Sequence, residues 1–259
     1  MTGPDPRATA IIPARLGSER FPRKVLASDT GKPLIVHVCE AAAQASLVSR
    51  VIVAAAEREI VDAVTAAGFE AVLTHDDHKT GTSRVAEVAD TLDASGDDII
   101  VNVQGDEPEI EPGVIDAGIR AIAASDAPVA TIATPFDAAD DPANPNIVKA
   151  VVDRSGHAIM FSRSVIPHDR DGTGDVSRLR HVGLYVYRRW FLAKFAQLEP
   201  TSLEQAERRE QLRFLEHGYR IAVAIEEARG VGIDTPEQYA AFVKRWNKQQ
   251  TPAHERRPV

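Results

Sequence analysis

Through its first hundred residues the chain alternates short apolar runs with segments of helical periodicity. The runs at 9–14, 50–55, 70–74 and 97–103 have the length and β-branched content of strands. Such alternation is typical of a mostly parallel sheet that carries helices on both faces. We therefore predict an α/β fold, with one domain over residues 8–247.

The fourth run leads directly into Gln104-Gly105-Asp106-Glu107-Pro108. Glycine permits a close backbone approach and proline ends strand pairing. A carboxylate pair is thus expected at the carboxyl end of a central strand, where open α/β sheets bind their ligands. Mg²⁺ prefers one or two carboxylates together with phosphate oxygens. A turn with solvated acids is the alternative that this motif alone leaves open.

The loop after the first strand carries Arg15, Arg20, Arg23 and Lys24 within ten residues. It leaves the same edge of the predicted sheet, so fixed cations and backbone amides would face the acids. Such a loop predicts a cradle for a triphosphate. The alternative is a solvated basic loop.

Other polar residues have both a functional and a structural interpretation. Asp234 precedes a helix that begins at Pro236, so it is either a helix N-cap or a second metal carboxylate. Thr82 and Arg84 open a helix where amides and a cation could meet a base or a phosphate. The polar run 75–78 is interpreted as a loop rather than a metal site.

The second half is less regular. Strands are predicted at 128–134, 147–153, 156–161, 181–187 and 219–225, helices at 203–217 and 236–246, and a mobile loop at 163–180. On the predicted helix 203–217, one face carries Glu204, Glu207 and Gln211. From the local pattern alone, we expect this face to be exposed to solvent. Residues 1–7 and 248–259 are expected to be tails.

Composition narrows the classes of function. The net charge of −8 argues against a general nucleic-acid binder. The single cysteine, Cys39, excludes an internal disulfide and is expected in the core. No apolar run has the length of a signal peptide core or a membrane span, so we expect a cytoplasmic protein without a membrane partner. The glycine fingerprints of dinucleotide-binding domains and P-loop NTPases are both absent from the sequence.

Taken in order, the motifs resemble those of the 3-deoxy-manno-octulosonate cytidylyltransferases, the CMP-Kdo synthetases. The resemblance covers residues 9–246. The matching stretches are 11–15, 20–24, 31–38, 81–84, 101–108, 144–149, 161–163, 166–167, 180–185, 203–204, 207, 210–213 and 232–236.

The resemblance implies a Rossmann-like nucleotidyltransferase fold with a smaller dimerisation lobe at about 136–200, and a homodimer. It implies that CTP and Kdo give CMP-Kdo and pyrophosphate, with Mg²⁺. Arg15, Lys24, Asp106 and Asp234 would be catalytic, and the two aspartates would hold the metal. The nucleotide side would be Ala14, Arg15, Arg20, Lys24, Thr82, Arg84, Gln104 and Asp106. The acidic sugar would be faced by Gln104, Arg163, His181, Tyr185, Glu210 and Gln211.

Several positions depart from the family pattern. Arg23 replaces a common glycine, Val25 replaces a proline, and Ser83 replaces a glutamate. His168 and Gln238 replace a tryptophan and an acidic residue. These departures leave open a related sugar acid such as 8-amino-Kdo or another nucleoside triphosphate. A non-catalytic nucleotide-binding protein is the alternative of a different class.

Overall fold

A computed structural model describes residues 5–92, 98–138, 140–174, 176–230 and 232–250. Its strands are β1 (Ala8–Ala14), β2 (Val48–Ala55), β3 (Glu70–Leu73), β4 (Ile99–Asn102), β5 (Val129–Pro135), β6 (Lys149–Val152), β7 (Ala158–Ser162), β8 (Leu179–Arg188) and β9 (Ile221–Ile225). Its α-helices are α1 (Leu34–Ala43), α2 (Arg58–Ala66), α3 (Gly81–Asp90), α4 (Pro112–Ala123), α5 (Arg189–Phe195), α6 (Ser202–Glu207), α7 (Gln211–Glu216) and α8 (Pro236–Gln250). A short 3₁₀ turn covers Lys24–Leu26.

The strands form one mixed sheet in the order β3-β2-β1-β4-β8-β5-β9, which confirms the predicted α/β class. The pairs β3–β2, β2–β1, β1–β4 and β5–β9 are parallel. Strand β8 is antiparallel to both β4 and β5. The hairpin of β6 and β7 joins the sheet through β8.

Helices cover both faces, so the central strands are buried on both sides. On β1, Ile12 packs with helices α1, α2 and α4, whereas Ile11 faces helices α3, α5 and α7. Helix α8 packs on α1 through Leu34, Tyr239 and Phe242. Cys39 is buried on α1, and burial raises the pKa of its thiol to about 12, as expected of a core residue.

The parallel pairing of β1 and β4 fixes the edge at which the site forms. Ile11 is in register with Asn102, so the loops that follow the two strands begin at the same edge of the sheet. Gly105 passes so close to β1 that a Cβ atom would lie 2.7 Å from the Pro13 carbonyl oxygen. A side chain at Gly105 would therefore push the two loops apart.

Three features differ from the sequence-based predictions. The predicted helix 203–217 is two helices, because Arg208 adopts a left-handed φ of 54° and ends α6. The periodicity analysis missed two helices, α4 and α5. Helix α4 contains two glycines, and α5 is only 7 residues long. Helix α8 continues past 246 to Gln250.

The division into a main domain and a smaller lobe stays a prediction. Strand β8 falls within the range 136–200 predicted for the lobe, although it lies between β4 and β5 in the main sheet. The predicted tails fall largely outside the described residues. Among the helices that are described, none is both long enough and apolar enough to cross a bilayer.

Candidate active site

A cavity of about 750 Å³ opens at the carboxyl edge of β1 and β4. The predicted nucleotide and metal residues that line it are Ala14, Arg15, Arg20, Lys24, Arg84, Gln104, Asp106 and Asp234. They come from segments far apart in the chain, and the parallel strands bring them to one place. Glycines at positions 17, 81 and 105 line the same cavity, and the first two are exposed.

Lys24 links the two aspartates. Its Nζ donates to Asp106 Oδ2 at 2.6 Å, to the Ile233 carbonyl oxygen at 2.7 Å and to Asp234 Oδ1 at 3.2 Å. The lysine is 8% exposed, so its charge is poorly screened by water. The two carboxylates are thus held on one buried ammonium group before any ligand arrives.

A backbone hydrogen bond holds the segment of Asp234 next to Asp106. The Ile233 N–H donates to the Asp106 carbonyl oxygen at 2.8 Å. The N-cap role falls to Thr235, whose hydroxyl accepts from the Gln238 N–H at 3.3 Å while Gln238 Oε1 accepts from the Thr235 N–H at 3.0 Å. The Asp234 side chain is therefore not the cap, and it is available to the cavity.

Two arginines add positive charge at the mouth of the cavity. Arg15 and Arg20 are exposed, and Arg20 Nη2 lies 2.8 Å from Asp234 Oδ2. Arg23 adopts a left-handed φ of 61°, the conformation that favours glycine, and its guanidinium pairs with Glu59. Arg15 and Arg20, rather than Arg23, are thus placed to meet an anion in the cavity.

The opening turn of α3 forms another wall. Arg84 is buried and donates to the Thr74 hydroxyl and to the His75 carbonyl oxygen, and burial lowers the pKa of its guanidinium. His78, which lines the cavity, pairs with Glu87 and lies 3.1 Å from the Ser83 hydroxyl. The run 75–78 lies between β3 and α3 without helix or strand, as predicted for a polar loop.

The donor set at the cavity suits a hard cation. Asp106 and Asp234 offer carboxylate oxygens next to the Ile233 carbonyl, and Mg²⁺ binds such oxygens together with substrate phosphates. Lys24 and Arg20 already balance the two negative charges. A triphosphate would therefore bring negative charge that a divalent ion offsets.

Glu107 is a neighbour whose chemistry the sequence did not reveal. Burial raises the pKa of its carboxyl group to about 8, and the charges of Asp106 and Glu111 add to the effect. Gly183 and Gly232 pack against it, since a Cβ on either would lie within 4 Å of the Glu107 side chain. When Glu107 is neutral, Asp106 has no second negative charge from this neighbouring residue.

The predicted sugar residues include two, His181 and Tyr185, on strand β8, which pairs with β4 in the sheet. Gln104 lines the cavity and its Nε2 donates to the Gly183 carbonyl oxygen at 3.3 Å. The rings of His181 and Tyr185 lie 5.4 Å apart on the same strand. Burial lowers the pKa of His181 to about 3 and raises the pKa of Tyr185. Both rings are therefore uncharged at neutral pH.

The local expectation that Glu204, Glu207 and Gln211 share a solvated face is wrong, because the helix breaks at Arg208. Glu204 pairs with Arg213. Glu207 accepts from the Ser162 hydroxyl at 2.6 Å and from the Arg163 N–H at 2.9 Å. Gln211 is 3% exposed.

Two further residues predicted to bind substrates make hydrogen bonds within the protein. The Thr82 hydroxyl donates to Glu210 Oε2 at 2.8 Å, so a residue of the predicted nucleotide side contacts one of the predicted sugar side. Arg163 donates through Nε to the Glu207 carbonyl oxygen at 2.9 Å and through Nη1 to the Pro145 carbonyl oxygen at 2.8 Å. Glu210 Oε1 and Gln211 Nε2 are buried without a hydrogen-bond partner in the structure.

Comparison with known proteins gives a consistent result. A family model described as Cytidylyltransferase matches residues 9–221. A Geotalea uraniireducens protein named 3-deoxy-manno-octulosonate cytidylyltransferase is 49% identical over 253 residues, covering 93% of this chain and 100% of that protein. A Photorhabdus laumondii protein of the same name is 47% identical over 244 residues, covering 91% of this chain and 97% of its own length.

Solved structures extend the comparison to the fold. A structure of CMP:2-keto-3-deoxy-manno-octonic acid synthetase complexed with CTP is 39% identical, has a TM-score of 0.88 and covers 94% of this chain and 99% of its own. The inositol-1-phosphate CTP transferase from T. maritima has a TM-score of 0.63 at 13% identity, covering 95% of this chain and 98% of its own, a likeness of fold alone.

Proposed function

This chain belongs to the 3-deoxy-manno-octulosonate cytidylyltransferase family, whose members form CMP-Kdo, and we propose that it converts CTP and Kdo to CMP-Kdo and pyrophosphate in the cavity at the carboxyl edge of β1 and β4. The observation that carries the proposal is the ammonium group of Lys24, which holds Asp106 and Asp234 together within that cavity. Arg15 and Arg20 stand at its mouth.

The nucleotide side binds and orients CTP. Lys24, Arg15 and Arg20 would contact the triphosphate oxygens, and the backbone around Gly17 and Gly81 would add amide donors. Ala14 and Arg84 complete this wall. These groups fix the α-phosphorus relative to the sugar, and positioning supplies a large part of the catalysis of phosphoryl transfer.

Asp106 and Asp234 would hold Mg²⁺ in this proposal. The ion, when bound, supplies positive charge that neutralises phosphate oxygens and lowers the repulsion between an anionic sugar and a triphosphate. Because the two carboxylates are already converged on Lys24, little rearrangement is needed to present their oxygens to a ligand.

The sugar side binds the acid and aims its anomeric hydroxyl. Gln104 lines the cavity and contacts Gly183 of β8, and the proposal assigns His181, Tyr185, Arg163, Glu210 and Gln211 to the sugar. The hydroxyl oxygen attacks the α-phosphorus in line, a new O–P bond forms, and the bond to the β-phosphate oxygen breaks to release pyrophosphate. The proton of the hydroxyl passes to water, and no covalent enzyme intermediate is required.

A substrate panel tests the proposal. The protein is incubated with each of the four common nucleoside triphosphates, with Kdo, 8-amino-Kdo or no sugar acid, and with or without Mg²⁺, while pyrophosphate release is measured. We expect turnover with CTP and Kdo that depends on Mg²⁺. Turnover with UTP or GTP but not CTP would overturn the base assignment. Turnover with 8-amino-Kdo alone would overturn the assignment of the sugar.

The same panel addresses a binding protein without catalysis. That alternative predicts that CTP binds while no pyrophosphate is released under any condition.

The proposal also includes a homodimer that acts in the cytoplasm, as the family resemblance implies. Light scattering during size-exclusion chromatography checks the dimer, and a monomer at micromolar concentration would contradict it.

A further inference from the structure

An apolar cluster joins the chain segments that supply the charges of the cavity. Its members come from the loop after β1, from α1, from the segment before α8 and from α8 itself: Phe21, Leu34, Ile233, Tyr239 and Phe242. Phe21 stands between Arg20 and Lys24 in the chain. Ile233 immediately precedes Asp234. The cluster therefore links through apolar contacts the same segments that Lys24 links through hydrogen bonds.

Tyr239 contacts the loop after β1 at two points. Its ring centroid lies 5.5 Å from that of Phe21, with the two planes tilted by 53°. Its hydroxyl oxygen accepts from the Asp29 N–H at 2.9 Å. Lys24 lies between these two contacts in the chain. One buried side chain of α8 thus holds the segment that carries the ammonium group on both sides of it.

The backbone beside Lys24 requires such support. Arg23, directly before Lys24, has a left-handed φ of 61°. A side chain makes this conformation unfavourable, and it persists where surrounding contacts determine the backbone. The Arg23 N–H donates to the Leu16 carbonyl oxygen at 2.9 Å, and the Lys24 N–H donates to the Phe21 carbonyl oxygen at 3.3 Å. The packing of Tyr239 on Phe21 adds a further restraint to this strained turn.

The same tyrosine is fixed relative to Asp234. It lies near the start of α8, and its N–H donates to the Thr235 carbonyl oxygen at 3.1 Å. Ile233, on the other side of Asp234, packs in the same cluster. The Ile233 carbonyl oxygen accepts from Lys24 Nζ at 2.7 Å. Tyr239 therefore sets the position of the cationic loop against the segment that carries the second carboxylate.

The far end of α8 makes its contacts with other parts of the protein. The Trp246 ring centroid lies 4.4 Å from that of His37 on α1, and Lys32 Nζ lies 4.6 Å from the Trp246 centroid. Arg245 pairs with Glu109 in the loop after β4. Tyr239 and Trp246 thus attach the same helix to different partners.

We propose that Tyr239 is a positioning residue for the nucleotide, which holds the segment of Arg20 and Lys24 at the distance from Asp234 that a triphosphate requires. This inference rests on the proposed function, and it gives α8 a part in CTP binding. Fixed charges act on a ligand only when they are correctly placed, and a displacement of about 1 Å can remove much of their effect. Tyr239 acts through these charged residues and not through contact with CTP.

Calorimetric titration with CTP and Mg²⁺, without a sugar acid, tests the proposal apart from turnover. Tyr239→Leu removes the hydroxyl and the ring while it keeps an apolar side chain. We expect its Kd for CTP to rise about tenfold, because the cations are no longer held in place. Tyr239→Phe keeps the ring, so its Kd should stay within about threefold of the wild type, the loss expected for one neutral hydrogen bond.

Trp246→Leu is the matched control, since it removes a large ring from the same helix. It should unfold at a lower temperature than the wild type but keep a Kd for CTP within about twofold. Equal losses of CTP affinity in Trp246→Leu and Tyr239→Leu would overturn the proposal, because the general docking of α8 would then be the cause. An unchanged Kd in Tyr239→Leu would also overturn it. If the wild type itself does not bind CTP, the proposed function falls instead.

A variant on the loop side keeps the test decisive even if Tyr239→Leu does not fold. Phe21→Leu removes the same ring contact without altering α8, and it should raise the Kd for CTP about fivefold. The double variant should bind CTP about as tightly as Tyr239→Leu alone, because both changes remove one contact. A wild-type Kd in Phe21→Leu, or losses that multiply in the double variant, would contradict the proposal.

Discussion

The nucleotide half and the sugar half of the site are built in opposite ways. Lys24, Asp106 and Asp234 meet in an open cavity, and each charged group is paired with another. Around β8, by contrast, His181 and Tyr185 are partly buried and uncharged, and several polar atoms nearby lack a partner. The charges of the first half are paired within the protein, whereas the proposed sugar half keeps polar atoms without a protein partner. The predictions below test this contrast.

Replacement of Lys24 should have the largest effect. Lys24→Met leaves two carboxylates facing each other without the ammonium group that now holds both. We expect kcat/KM for CTP to fall at least about 100-fold, since a poised cation near the phosphates is lost as well. Initial-rate kinetics of pyrophosphate release measure it. Lys244→Met, an exposed change on α8, is the control, and comparable losses in both variants would contradict the role of Lys24.

Substitution of Gly105 should disturb the junction of β1 and β4. A methyl group in Gly105→Ala would lie 2.7 Å from the Pro13 carbonyl oxygen, so one loop must move. We expect a loss of about 2 kcal/mol in the free energy of unfolding, within the range for overpacking. Urea denaturation gives the value. Gly113→Ala, where the added carbon meets nothing within 4 Å, is the matched control and should not destabilise.

The uncharged state of His181 should be visible in the pH dependence of stability. Its pKa is lowered to about 3 in the fold, while an unfolded histidine titrates near about 6.5. As pH falls below about 6.5, the unfolded chain takes up a proton that the folded chain refuses, so stability is lost progressively down to about pH 3.

His181→Gln removes this contribution. Between about pH 5 and pH 6, the slope of unfolding free energy against pH should decrease by about 1.4 kcal/mol per pH unit relative to the wild type. Denaturation at a series of pH values measures both slopes. Identical slopes would mean that His181 is readily protonated in the folded protein, against the contrast drawn above.

Thr82 tests where the two halves meet, with the smallest expected effect. The hydroxyl contacts Glu210 of the sugar half although its helix, α3, borders the nucleotide cavity. Thr82→Val should raise the sugar KM about fivefold, the equivalent of about 1 kcal/mol for one hydrogen bond, and leave the CTP KM nearly unchanged. A change confined to the CTP KM would assign Thr82 to the nucleotide half. Ser83→Ala on the same turn is the control.

The two halves also differ in how far the sequence predicted them. Parallel strands must end at a common edge, so the order of strands and helices along the chain was enough to relate the acids after β4 to the cations after β1. Asp234 remained ambiguous because its neighbours Thr235 and Gln238 form the cap that could have been its own role.

The sugar half depended on features that local pattern does not encode. The antiparallel insertion of β8 places Tyr185 opposite Asn102 of β4 and His181 opposite Ala133 of β5, and no periodicity indicates the order of strands in a sheet. The left-handed conformation of Arg208 splits one expected helix into two. An arginine has no strong preference for that conformation, so the break could not be expected from composition.

The central claim is that Asp106 and Asp234 act together through one divalent ion. The most direct measurement is the rate of pyrophosphate release from CTP and Kdo across a Mg²⁺ titration, for the wild type, Asp106→Asn, Asp234→Asn and the exposed control Asp62→Asn. The account predicts that the wild type and the control release no pyrophosphate without Mg²⁺. It predicts that the two aspartate variants release pyrophosphate at least about 100-fold more slowly than the wild type even at saturating Mg²⁺. Full activity of either variant, or a wild type indifferent to chelation of the metal, would contradict it.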